Sequence, residues 1–133
     1  MCLTLSTGEV ISVFVRKRND GTITQDNFSQ ALLDFRAEVL DGDEFQMISV
    51  DDALVFESHA HIEQHNLNAT DASILQSALG IAEELRQETD RLILLSSDRR
   101  LIRAAKNEGL LCLNPEEDSL EDLAALVTEE DQL

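Results

Sequence analysis

Three acidic residues stand where carboxylates could do chemistry. Asp98 lies just past the apolar run Leu92–Leu95, at the entrance to a helical pattern. In open α/β sheets the carboxyl ends of the strands border the ligand crevice. Asp is also a favoured helix N-cap, so Asp98 reads either as a cap or as a site residue. Asp71 falls in the first turn of another helical pattern, with Leu75, Ala78 and Ala82 following at +4, +7 and +11. It heads an apolar stripe, and a carboxylate aimed at a core needs hydrogen bonds or a metal. The other reading makes Asn68 the cap and Asp71 a partner of the helix dipole. Glu9 is the third acid. It stands three positions after Ser6, the spacing of a capping box, with Arg16 two turns further along the same face. Three carboxylates at helix entrances around one crevice would form an oxygen-rich site for Mg²⁺ or Mn²⁺. Phosphodiester hydrolysis uses such a site: a cation activates water and neutralises charge on the phosphate, while Arg or Lys holds the substrate backbone.

The bases are clumped in a way that suits that role. Arg16, Lys17 and Arg18 form one cluster; Arg86, Arg91, Arg99, Arg100, Arg103 and Lys106 form another. Ordinary solvated helix faces are the usual explanation of such charge runs. His61 and His65 are four apart and could share a cation. With no Cys nearby and no zinc-finger spacing, these two and His59 read as exposed helix residues. There is neither a Gly-rich phosphate loop nor a nucleophile elbow.

The elements that position these groups follow from periodicity and punctuation. Helices are predicted over 6–18, 25–40 with Thr24 as cap, 51–65, 69–88, 99–108 and 119–128. Short strands are predicted over 45–50, 92–95 and 110–113, and the continuous apolar run 92–95 reads as buried on both faces. Gly109 is placed as the residue that ends helix 99–108. Strands separated by helices indicate an α/β class with a mainly parallel sheet.

Composition bounds the partners. The 133 residues suffice for one domain with a core. Domain 1–115 is followed by an acidic tail, 116–133, read as partly helical. There are 27 acids against 10 bases, a net charge of −17. Nucleic acid is repelled on average. The tail carries eight of the acids, which leaves −9 on the rest of the chain. No apolar stretch reaches membrane-spanning length, and nothing resembles a secretory leader. Two cysteines, Cys2 and Cys112, form no disulfide framework, so a reduced, cytoplasmic setting is expected.

Taken together these segments resemble a family. Leu67-Asn68-Ala69-Thr70-Asp71-Ala72, running into Ile74–Leu79, is similar to the third-carboxylate motif of PIN-domain nucleases. Leu92–Leu95 with Ser96-Ser97-Asp98-Arg99-Arg100-Leu101 resembles their strand ending in Thr/Ser-x-Asp. Ala104-Ala105, Gly109 and Asn114-Pro115 match the usual continuation, and Leu5-Ser6-Thr7-Gly8-Glu9-Val10 resembles the helix start that carries their second carboxylate. The resemblance covers about residues 3–115 and points most closely to VapC-like toxins of type II toxin–antitoxin systems. It implies an α/β/α sandwich and a Mg²⁺- or Mn²⁺-dependent endoribonuclease. In that reading Glu9, Asp71 and Asp98 are metal ligands and catalytic acids, and Ser96 is the hydroxyl beside them. Arg16, Arg99, Arg100 and Arg103 are RNA-binding residues. The partners implied are RNA, a VapB-like antitoxin protein and a second copy of the chain.

PIN domains open with a strand bearing a further Asp, well before the Glu-bearing helix, whereas Glu9 is only the ninth residue of the sequence. The first strand, its Asp and the following helix are therefore expected to be missing, and the chain as written is expected to be a weak or inactive nuclease. Two functions follow: a metal-dependent ribonuclease, or a non-catalytic PIN-like remnant that binds a protein partner.

Overall fold

The computed structural model describes residues 1–128; the last part of the predicted acidic tail, 129–133, lies outside the described residues. The chain packs as two units, Met1–Asp51 and a second beginning at Asp52.

The first unit opens with strand β1, Cys2–Leu3, which leads directly into helix α1, Thr4–Asn19. β1 pairs in parallel with β2, Met47–Ile48, in the register Cys2 to Met47 and Leu3 to Ile48. Thr4 ties the two together by donating its hydroxyl to the Ile48 carbonyl at 3.2 Å. The predicted start at Ser6 is therefore displaced. Leu3, extended and buried, stands at the cap position with no side-chain bond. The chain enters the helix from a paired strand, so strand pairing sets the start and no capping box is needed. Ser6 and Glu9 lie inside α1.

Helix α2, Gln25–Phe35, begins where predicted: the Thr24 hydroxyl accepts from the Asn27 amide at 3.1 Å. It continues as a π-helical turn, Arg36–Leu40. Gly42 follows because a Cβ there would stand 2.5 Å from the Glu38 carbonyl oxygen. Phe14 and Phe35 meet edge to face at 6.2 Å, and the Arg18 guanidinium lies 4.3 Å over the buried Phe28 ring. Both contacts fasten α1 to α2.

The second unit contains α3, Asp52–His65; α4, Ala69–Gln87; β3, Ile93–Leu95; α5, Arg99–Asn107; β4, Leu111–Leu113; and α6, Leu120–Thr128. β3 and β4 are parallel, pairing Ile93 with Leu111 through to Leu95 with Leu113. With α5 between them they form the predicted βαβ crossover. Its core joins Leu67, the α4 stripe Ala72, Leu75, Ala78 and Ala82, and Leu101, Ala104 and Ala105 of α5, with Leu110 and Cys112. The stripe has helical spacing, and its alanines let the two helices approach closely. Gly109 ends α5 with φ of 85°, a left-handed conformation that glycine adopts without steric cost. α6 is held by a reciprocal cap. The Ser119 hydroxyl accepts from the Asp122 amide, and the Asp122 carboxylate accepts from the Ser119 amide at 2.7 Å.

The α/β class and the parallel strand pairing are those expected. The doubly buried strand is not: Ile93 and Leu94 are half-buried and Leu95 is 60% exposed. An apolar run of strand length does not by itself report how many faces are covered. Among the described residues no helix is long and apolar enough to cross a membrane.

Candidate metal and phosphate site

β3 ends at Leu95, and Ser96-Ser97 carries the chain to Asp98 at the head of α5. The Ser96 amide still donates to the Leu113 carbonyl at 3.2 Å, extending the ladder, and its hydroxyl accepts from the Asp98 amide at 3.0 Å. Asp98 is the helix cap. Its Oδ1 accepts from the amides of Arg100, 2.7 Å, and Leu101, 3.0 Å. Both bonds use one oxygen. Oδ2 receives no hydrogen bond among the described residues, and the side chain is exposed. Capping and cation binding are thus compatible at this carboxylate.

Asp71 occupies the first turn of α4. Asn68 caps that helix, its Oδ1 accepting from the Asp71 amide at 2.8 Å while its Nδ2 donates to Asp71 Oδ2 at 2.7 Å. The half-buried Asp71 carboxylate is held in place by the cap. The next residue, Ala72, belongs to the same buried cluster as Leu101, three residues after Asp98. α4 precedes β3 across the connection 88–92, and α5 follows β3. α5 and Asp98 thus begin at the carboxyl end of β3, the end at which α/β proteins place their ligands.

Glu9 lies in the first unit, exposed, in the second turn of α1. It is not at a helix entrance, because α1 begins at Thr4 rather than after Ser6. Arg16 is exposed in the last turn of the same helix. Arg99, Arg100 and Arg103 are exposed on α5. Arg99 is engaged: its guanidinium forms a close ion pair with Glu117, and that bond raises its pKa above the ordinary arginine value. Arg99 and Arg103, one turn apart, line an open cleft with Lys106, Asn114, Glu117 and Asp118. Two acids of the tail, Glu117 and Asp118, therefore border the basic face of α5, a juxtaposition that local sequence pattern does not reveal.

The chemistry of each carboxylate suits a hard divalent cation. Asp71 and Asp98 offer only oxygen, the helix caps hold both carboxylates, and Asp98 has an oxygen to spare.

The histidines depart from expectation. His59 is exposed, but His61 is buried and the His65 side chain is only 8% exposed. Helical spacing correctly puts His61 and His65 on one face; that face turns inward. Both cysteines are free thiols, Cys112 buried as expected.

Compared with known proteins, the chain matches the family model described as PIN domain over residues 14–116. The match contains Asp71, Ser96 and Asp98 and begins after Glu9. No curated protein and no solved structure matches the chain.

Proposed function

Because this chain belongs to the PIN domain family, a nuclease-type fold, we propose that it is a metal-dependent endoribonuclease of the VapC-like type. Asp71 and Asp98 would hold Mg²⁺ or Mn²⁺ through their carboxylate oxygens. The observation that carries the reading is Asp98: a carboxylate at the carboxyl end of β3, fixed through Oδ1 by two amides and open at Oδ2. A cation bound there supplies an activated water and offsets charge on the phosphate. The remaining roles belong to the chain itself. Ser96 fixes the backbone at Asp98 and presents its hydroxyl beside it. Arg100 and Arg103 meet phosphate oxygens without reading bases. Arg99 joins them when RNA displaces Glu117.

The net charge of −17 makes RNA binding depend on these few bases and on low salt. A VapB-like antitoxin and a second copy of the chain are the protein partners of this reading. The exposed apolar side chains Phe56 and Leu95 offer them surface.

The Arg99–Glu117 pair favours one alternative, a non-catalytic module that binds protein. End-labelled single-stranded RNA incubated with the protein and Mn²⁺ separates the two. A ribonuclease gives cleavage that EDTA stops and that Asp71→Asn or Asp98→Asn abolishes. A binding module gives none, and cleavage unaffected by both substitutions contradicts the proposed site.

A further inference from the structure

Within the second unit a group of side chains outside the carboxylate site has the composition of a transition-metal centre. One ligand atom each from His61, His65 and Glu108 lies within 4.8 Å of the other two. His65 Nε2 stands 2.7 Å from Glu108 Oε1, and the two imidazoles stack with centroids 6.0 Å apart.

The tautomer of His61 follows from its neighbours. Gln76 Nε2 donates to Glu57 Oε2 at 3.2 Å, which leaves Gln76 Oε1 as an acceptor. His61 Nε2, 2.7 Å from that oxygen, must therefore carry the proton. In the tautomer with its proton on Nε2 the lone pair sits on Nδ1, and Nδ1 is buried with no hydrogen-bond partner. An orphaned buried acceptor costs about 1–3 kcal/mol, so such atoms are rare in folded proteins. The chain Glu57–Gln76–His61 is the outer-shell arrangement that fixes a metal-ligating imidazole and raises its basicity.

We infer that His61, His65 and Glu108 bind a borderline transition-metal ion, Zn²⁺ by preference, separate from the hard-cation site. Two imidazoles and one carboxylate suit such an ion, with solvent as its fourth ligand. Zn–N and Zn–O bonds of about 2.0–2.2 Å need tetrahedral donor atoms about 3.3 Å apart, so side-chain rotations that close the wider spacings by up to about 1.5 Å and open the His65–Glu108 contact by about 0.6 Å complete the site. The proton that His65 Nε2 shares with Glu108 moves to Nδ1 of the same ring. Glu108 follows the last residue of α5, whereas Asp98 caps its first turn, about 15 Å away along the helix. The ion joins the end of α3 to the end of α5, and its binding free energy adds to the stability of the unit.

Co²⁺ titration of the EDTA-treated, dialysed full chain tests this. One Co²⁺ per chain with the intense visible absorption of a tetrahedral site, displaced by one equivalent of Zn²⁺, is expected, with a rise in melting temperature. Glu108→Gln and His65→Gln should weaken Co²⁺ at least tenfold, and Gln76→Ala by about 10–100-fold through His61. Far-UV circular dichroism confirms that each variant is folded. Asp98→Asn should leave the spectrum unchanged, which separates this site from the proposed nuclease site. No tetrahedral band in the wild type, or a band that survives both Glu108→Gln and His65→Gln, overturns the inference.

Discussion

Asp98 is assigned two roles, and a pair of substitutions pulls them apart. Its Oδ1 accepts from two α5 amides, at 2.7 and 3.0 Å. Asn presents the same acceptor and caps about as well, whereas Ala leaves both amides without a side-chain acceptor, typically a loss of about 1 kcal/mol. Asp98→Ala should therefore be less stable than Asp98→Asn by about 1 kcal/mol, which for a chain of this length is a melting-temperature gap of about 3–5 °C. The cation response should not follow that order. At Mn²⁺ ten times its Kd, binding stabilises the wild type by RT ln 11, about 1.4 kcal/mol. Both variants lack the anionic Oδ2 and should lose most of this increment. Differential scanning fluorimetry with and without Mn²⁺ reads both effects. Equal melting temperatures for Asp98→Ala and Asp98→Asn would refute the capping role. A Mn²⁺ shift retained in Asp98→Asn would refute the ligand role.

Further outcomes follow from packing and titration. Leu75 is fully buried against the alanine stripe of α4 and the face of α5, so Leu75→Ala should cost about 2–5 kcal/mol by urea denaturation; a loss below about 1 kcal/mol would mean that α4 and α5 are not packed as described. Gly42→Ala places a Cβ 2.5 Å from the Glu38 carbonyl oxygen and should destabilise by about 1–3 kcal/mol. Unchanged stability there would show that the π-helical turn gives way freely. The bonds from Ser119 lower the Asp122 pKa. The folded chain thus binds this proton less tightly than the unfolded one, and the α6 cap is intact above the ordinary aspartate range and lost as pH falls through the depressed value. An NMR titration should find the Asp122 midpoint below that of a free aspartate, and raised only part of the way in Ser119→Ala, which removes the hydroxyl but keeps the backbone amide.

Helix starts were legible wherever a side chain caps: Thr24, Asn68 and Asp98 each accept the amides their positions implied. The first helix was misread because β1, two residues long, is too short to show alternation, yet its pairing with Met47–Ile48 fixes where α1 begins. Leu92–Leu95 gave the strand but not its burial, since a run of four apolar residues carries no information about its second face. Asp71 and Asp98 could be chosen from spacing alone, because each stands a fixed step from an apolar pattern. The ion pair between Arg99 and Glu117 could not, with its partners 18 residues apart and no periodicity linking them. The His61–His65–Glu108 group shows the same limit: the histidine spacing was visible, but Glu108 arrives from 43 residues away at the end of α5. Gln76, which fixes the His61 tautomer, carries no sequence signal as an outer-shell residue.

The proposed nuclease site is tested most directly by mapping Mn²⁺ onto the chain. A ¹⁵N-labelled sample receiving substoichiometric Mn²⁺ loses amide signals close to the paramagnetic ion. Binding at Asp71 and Asp98 predicts selective loss around 69–73 and 96–100, and recovery of those signals in Asp98→Asn. Broadening confined to the acidic segment 116–128, with 69–73 and 96–100 unaffected, would contradict the site.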